Sequence, residues 1–221
     1  MPHISIVIPT LNEQQNIGPA LDGIEKVMAH SDYEVIVVDG YSKDKTVEIA
    51  KKHGARIIYD NMGKGSALIK GLKAAKGSVI ISMDADMSNK PNELKVLIAG
   101  IEAGYDVCMG SRFLVGGGSD DMPFVRRFGN KIFVYMVNLL YGANYTDLCY
   151  GYRSFSRNAV RKLKLTEKGF GIETEISIKA KKSSLKIMEV PSYEKKRASG
   201  IAKLQTFSDG KKILKTILRN L

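Results

Sequence analysis

The feature that most constrains this chain is an alternation that runs through its first 111 residues. Short apolar runs, bounded by Gly, Pro or polar turn residues, alternate with segments whose apolar residues recur at helical spacing. His3 to Ile8, Glu34 to Val38, Ala55 to Tyr59, Ser78 to Met83 and Asp106 to Ser111 read as strands. Between them, Asn16 to His30, Asp44 to His53, Gly65 to Ala75 and Pro91 to Ala103 read as helices, the last three stopped by Gly54, Gly77 and Gly104. Strand, helix, strand, helix is the pattern of a parallel, doubly wound α/β sheet. Such sheets bind ligands beyond the carboxyl ends of their strands, so the loops there are the places to look for chemistry.

After residue 112 the pattern changes. Leu114 to Pro123 (LVGGGSDDMP) reads as a mobile loop and Val125 to Leu140 as a helix with an apolar face. Asn158 to Lys164 and Glu173 to Lys182 read as helices, Lys186 to Pro191 as a strand and Tyr193 to Gly210 as a basic, flexible loop. Asp209 to Leu221 reads as a basic amphipathic helix, in which Lys211, Lys212, Lys215 and Arg219 interleave with Ile213, Leu214, Ile217 and Leu218. No linker separates two independent domains. The expected organisation is one catalytic domain over residues 1–208 and a C-terminal helix over 209–221.

The net charge is +11, from 34 Lys and Arg against 23 Asp and Glu, and the excess gathers after about residue 150. Such a surface favours anions. Basic residues are not interleaved with aromatics along one stripe, which argues against nucleic acid as the partner. The two cysteines, Cys108 and Cys149, lie in no Cys/His cluster, which argues against a zinc site and a disulfide framework and for a reducing compartment. The strand-like opening MPHISIVIPT shows no signal-peptide pattern, and no apolar run reaches the ~18 residues of a membrane span. A cytoplasmic location is expected.

Four strand-end segments carry candidate chemistry. Asp84-Ala85-Asp86 follows the fourth strand. Two acids at i and i+2, where a strand gives way to a loop, can turn toward one cation. A hard divalent ion takes carboxylate oxygens and keeps positions for phosphates. Asp39 ends the second strand, where an acid can accept hydrogen bonds from a base or ribose; Asp44 reads instead as a helix cap. Pro9 to Glu13 follows the first strand. Gly63-Lys64-Gly65 opens a helix, and its backbone N–H groups and Lys64 suit a phosphate, although the full P-loop pattern is missing.

These segments, as IVIPTLNEQQNI, VIVVDGYSKDKTVEIA, NMGKGSALIKG, ISMDADMSNKPNEL and GSRF, come in the order and spacing of the family 2 glycosyltransferases. With DLCYGYRSFSR, GFGIETEISIKA and KIMEVPSYEKKRASGIAKL, the chain resembles the dolichyl- or polyprenyl-phosphate sugar synthase branch from Ile4 to about Gly210. The resemblance implies a Rossmann-like GT-A fold and inverting transfer of a hexose from a GDP- or UDP-sugar to a lipid phosphate. It implies that Pro9, Glu13 and Asp39 hold the nucleoside. Lys64, Asp84, Ala85 and Asp86 would line the diphosphate sugar, with Asp84 and Asp86 holding Mg²⁺ or Mn²⁺. Arg112, with Arg126 or Arg127, would face the acceptor phosphate, making Asp86, Arg112 and Arg126 the catalytic set. Arg197, Gly200 and Lys203 match a loop that closes over the diphosphate. Three positions depart from the family's pattern: Gly40 stands where a second acid is usual, Leu11 where a tyrosine is, and Ser88 where a glutamine metal ligand is.

A lipid phosphate is already an anion near neutral pH, with a second pKa of about 6, and needs no general base. What it needs is positive charge against two mutually repelling anions, and the arginines at 112, 126, 127, 153 and 197 are candidates to supply it. A glycan hydroxyl acceptor would require a base, for which Asp147, Glu173 or Glu175 are available. The C-terminal helix suits either a membrane surface or packing on its own domain. The expected partners are the nucleotide-sugar donor, polyprenyl or dolichyl phosphate, and the cytoplasmic face of a membrane. A purely anionic-membrane or nucleic-acid binding module is the reading from another class, and it leaves the two acids unexplained.

Overall fold

The structure is a computed structural model that describes residues 3–120, 122–200 and 206–221. Its core is a seven-stranded sheet in the order β3-β2-β1-β4-β7-β5-β8. These strands are β1 (Ile4–Thr10), β2 (Tyr33–Asp39), β3 (Arg56–Tyr59), β4 (Val79–Ser82), β5 (Val107–Ser111), β7 (Arg153–Ser156) and β8 (Ile187–Pro191). All neighbouring pairs are parallel except those of β7, which runs antiparallel between β4 and β5. A small parallel pair, β6 (Gly118–Ser119) with β9 (Tyr193–Glu194), lies outside it.

The central strands are apolar on both faces because both faces are covered. Ile6 and Ile8 of β1 pack with Ile17, Leu21 and Ile24 of α1 (Ile17–Met28), Ala50 of α2 (Thr46–Lys52) and Leu94 and Leu97 of α4 (Leu94–Glu102). Val7 points the other way. It packs with Ala67, Leu68 and Leu72 of α3 (Lys64–Ala74), in a core that also takes in α5 (Phe124–Tyr141), α6 (Arg157–Leu163), α7 (Ile172–Lys182) and α8 (Thr206–Arg219). Helix α3 lies close on the sheet at Gly71, where a Cβ would stand 2.3 Å from Val7 and 2.9 Å from Val38.

The mostly parallel α/β sheet agrees with the sequence expectation. Three local expectations change. The stretch Arg153–Ser156, which carried no strand reading, supplies β7. Part of the stretch expected as a mobile loop pairs as β6. The C-terminal helix begins at Thr206, and Ile213 and Ile217 are buried in the core, so it packs on its own domain. Its other side leaves Phe207, Leu214 and Leu218 exposed. Among the described residues, no helix is long and apolar enough to cross a membrane.

Candidate functional site

Because β1, β2, β3, β4, β5 and β8 run the same way, their carboxyl ends share one edge of the sheet, where β7 begins. A cavity of about 780 Å³ opens there. Its polar end is lined by Pro9, Glu13, Gly40, Asp60, Lys64, Asp84, Ala85, Asp86, Glu173 and Arg197. Its other end runs between α5 and α8, past Arg126, Phe128, Phe133, Phe207, Lys211 and Leu214.

The loops after β1 and β2 brace each other. Ser42 Oγ accepts the Asn12 amide at 2.8 Å, Asn12 Oδ1 accepts the Lys43 amide at 2.8 Å, and Thr46 Oγ1 accepts the Glu13 amide at 2.7 Å. Asp39 is fully buried, accepts the Ser42 amide at 2.8 Å, and is absent from the cavity lining, whereas its neighbour Gly40 is present. Its carboxylate organises the turn that presents Gly40 to the cavity. Asp44 accepts the amides of Thr46 and Gln14, in keeping with its reading as a cap.

At the end of β4, the Asp84 amide donates to Asn89 Oδ1 at 2.8 Å, and the loop turns through Met87 at φ 67°. Asp86 Oδ1 accepts from the Ser88 amide at 3.1 Å and its hydroxyl at 2.6 Å, so Ser88 holds the second acid in place. Lys64 Nζ sits 2.9 Å from Asp84 Oδ1 and 3.1 Å from Glu173 Oε1. Burial alone would lower the Lys64 pKa, but the two carboxylates outweigh it and hold the ammonium above the usual lysine range. Burial raises Asp84, against the opposing pull of Lys64. Asp84 and Asp86 offer hard carboxylate oxygens, and among the described residues no three His, Cys, Asp or Glu side chains converge into a protein-only cage. That donor set fits a divalent ion such as Mg²⁺ or Mn²⁺ that shares its shell with phosphate oxygens and water.

The glycines around Lys64 also permit a close backbone approach. A Cβ at Gly63 or Gly65 would stand 2.5 Å from Lys168 O or 2.3 Å from Glu167 O, and the Ser66 amide donates to Lys168 O. They let the 167–169 backbone close on the start of α3, where Gly63, Lys64 and Ala67 line the cavity.

Arg197 reaches across the site. It donates to both Glu13 oxygens at 3.1 Å and stands 3.1 Å from Asp86 Oδ2. The Lys195 amide on Ser88 O and Asn16 Nδ2 on Ser199 O draw the segment over the strand ends. Gly200 ends this segment at φ 82°, and Lys203 lies outside the described residues.

Arg112 lines the cavity, but its guanidinium is engaged. It makes a two-pronged pair with Asp147 at 2.7 and 2.9 Å, reaches Glu194 at 3.1 Å and lies over the Tyr150 ring. Of the two α5 arginines, Arg126 lines the cavity and Arg127 does not. Arg153, read as a candidate for anion binding, is buried instead. It donates to the carbonyls of Leu148, Tyr150 and Glu173 and to Ser177 Oγ. Asp60, Asn61 and Asn130 also line the cavity and were not singled out from the sequence. Asp60 was findable, since it follows a strand end as Asp39 and Asp84 do.

The family model for glycosyl transferase family 2 matches residues 5–164. Dolichol-phosphate mannosyltransferase of Pyrococcus furiosus is 35% identical over 91% of this chain, which spans 59% of that protein's length. Dolichyl-phosphate hexose transferase of Haloferax volcanii is 34% identical over 98% of this chain, which spans 92% of it. Glucosyl-3-phosphoglycerate synthase of Mycobacterium tuberculosis, solved with Mn²⁺, UDP and glucosyl-3-phosphoglycerate, shares the fold. Its TM-score is 0.77 at 22% identity, covering 99% of this chain and 80% of that one. The matched range contains the strand-end acids Asp84 and Asp86, and the chain belongs to glycosyl transferase family 2 as a glycosyltransferase of the GT-A fold.

Proposed function

We propose that this glycosyltransferase moves a hexose from a GDP- or UDP-sugar to dolichyl or polyprenyl phosphate, at the cytoplasmic face of a membrane. The observation that carries this reading is the cavity with two unlike ends. One end offers Asp84, Asp86 and Lys64 to a diphosphate sugar. The other offers Phe128, Phe133, Phe207 and Leu214 to an apolar chain. The names of the Pyrococcus and Haloferax relatives support the same acceptor class.

Asp84 and Asp86 would hold a divalent cation, which when bound would supply positive charge to the leaving diphosphate. Glu13 and Asp86 hold Arg197 above that position, and Arg126 brings positive charge to the acceptor side. Lys64, pinned between Asp84 and Glu173, keeps a fixed charge beside the donor. No protein base is required, because the acceptor phosphate arrives ionised. The exposed apolar residues of α5, among them Phe124, Tyr135 and Leu139, support seating on a bilayer beside the cavity mouth.

Transfer of radiolabelled sugar to polyprenyl phosphate, across a panel of GDP- and UDP-sugars, tests this. Product is expected from one donor with Mg²⁺ or Mn²⁺, and none with EDTA or with Asp86→Ala. A second reading, transfer to a glycan hydroxyl, is favoured by one feature. Of the three candidate bases, Asp147 pairs with Arg112 and Glu175 holds the 166–167 amides away from the cavity, while Glu173, paired with Lys64, lines the cavity. Nucleotide binding without lipid product, and a hydroxyl-linked product lost in Glu173→Gln, would move the acceptor to that class.

A further inference from the structure

Asn130 is the one polar residue of α5 that is both buried, at 3% exposure, and part of the cavity wall. Its Oδ1 accepts the amides of Leu148 and Cys149, each at 3.2 Å. Both partners are N–H groups, so the oxygen must face them, and the side-chain orientation is fixed by chemistry. That leaves Nδ2 on the other side, buried and with no hydrogen-bond partner. A buried donor without a partner is costly, and few persist in folded proteins without a reason.

The surroundings say what would satisfy it. Arg126 lies one helical turn earlier on α5, so the two side chains share a face and both line the cavity. Arg112 lines the same wall. The carboxylates of Asp147 and Glu194 face Arg112, and neither accepts from Asn130 Nδ2. The donor left open in this wall is Asn130 Nδ2, with arginine side chains beside it, and such a donor suits an oxygen anion that carries no proton to give away.

Resting on the reading of a phosphate acceptor given above, we propose that Asn130 Nδ2 donates a hydrogen bond to a phosphoryl oxygen of the acceptor, making Asn130 a binding residue for that substrate. The same side chain ties the 148–149 turn, and so Asp147 and its grip on Arg112, to the presence of the acceptor.

The test uses the whole chain loaded with Mg²⁺ and UDP or GDP, whichever the transfer assay identifies. Farnesyl phosphate and inorganic phosphate are titrated by calorimetry into wild type and Asn130→Asp. The aspartate keeps an oxygen for the two amides but replaces the donor with a negative oxygen. Affinity for farnesyl phosphate is expected to fall by about tenfold or more, with nucleoside diphosphate affinity unchanged. A parallel loss with inorganic phosphate identifies the phosphoryl group alone as the ligand. A loss confined to farnesyl phosphate identifies the lipid-linked one. In wild type, the Asn130 side-chain amide resonance is expected to shift on adding farnesyl phosphate, a readout that survives if the variant folds poorly. Unchanged phosphate affinity with an unmoved resonance would overturn the proposal, as would an equal loss of nucleotide affinity. Wild type that binds nucleotide but neither phosphate would overturn the acceptor reading itself.

Discussion

Arg197 and Glu13 are 184 positions apart in sequence, yet the guanidinium donates to both oxygens of the carboxylate at 3.1 Å. The same side chain stands 3.1 Å from Asp86, so one arginine joins the loop after β1 to the loop after β4. On the proposed function it would also compete with a metal for Asp86. Arg197→Ala is therefore expected to act in two directions. Mn²⁺ alone should bind several-fold more tightly, while the metal–nucleoside diphosphate complex should bind about ten- to a hundredfold more weakly for want of a charged hydrogen bond. Paramagnetic Mn²⁺ titrations with and without nucleotide measure both. Equal changes of the same sign would refute the competition.

Arg153 has 1% exposure and spends its guanidinium on three carbonyls and one hydroxyl. Burial pushes its pKa down from the usual arginine value, and its use here is as a rigid fork of donors. Arg153→Met removes that fork and strands the carbonyls of Leu148, Tyr150 and Glu173. A loss of about 3–5 kcal/mol in denaturant unfolding is expected. A loss below about 1 kcal/mol would mean that water replaces the arginine.

Glu175 ties α7 to the preceding loop. Burial alone would raise its pKa, but Lys179, the Glu167 and Thr166 amides and the Thr166 hydroxyl outweigh that and hold it below the usual glutamate value. A carboxylate lowered in the folded state stabilises above its unfolded pKa, about 4.3, and loses that contribution as pH falls through the folded value. Wild type should therefore exceed Glu175→Gln in stability near neutral pH, and the gap should close as pH drops below about 4. Thermal unfolding of both proteins across that range checks this. A gap constant with pH would contradict it.

The outer face of α5 exposes Phe124 at 80%, with Tyr135 and Leu139 at 68% each. Burying such side chains is worth about 1.5–3 kcal/mol apiece. Replacing all three with serine should weaken binding to anionic vesicles by about a hundredfold or more while sparing stability and nucleotide affinity, since none lines the cavity. Vesicle flotation reads the outcome. Undiminished flotation would move the membrane contact elsewhere, and Lys211 and Lys215 of α8 would be the next to change.

The strands that the sequence made legible are the parallel ones, whose residues face helices on both sides and so read as unbroken apolar runs. Strand β7 escaped notice because its residues are Arg153, Ser154, Phe155 and Ser156. Each polar member satisfies itself against a fixed partner, Ser154 on Leu97 O and Arg153 on its carbonyls, and no local pattern announces that. Asp84 and Asp86 were legible because strand-end acids two apart have few structural uses. Asp39 was ambiguous for the opposite reason: an acid before a turn serves the turn as well as a ligand, and here it serves Ser42. Glu173 was weighed only among three bases; all three are buried, and a place in the cavity wall is what separates it.

Strand β7 sits between β4 and β5, although it follows both in the chain. A ribosome that has delivered β3, β2, β1 and β4 in any usable form leaves the edge of β4 open, and every residue of β4 is buried in the finished sheet. Strand β5 emerges next and finds no neighbour, because β7 and β8 are still unmade. A nascent chain shorter than about 156 residues thus carries two unpaired apolar edges, the kind that template aggregation. Chaperone access before that point is therefore expected to bear on yield.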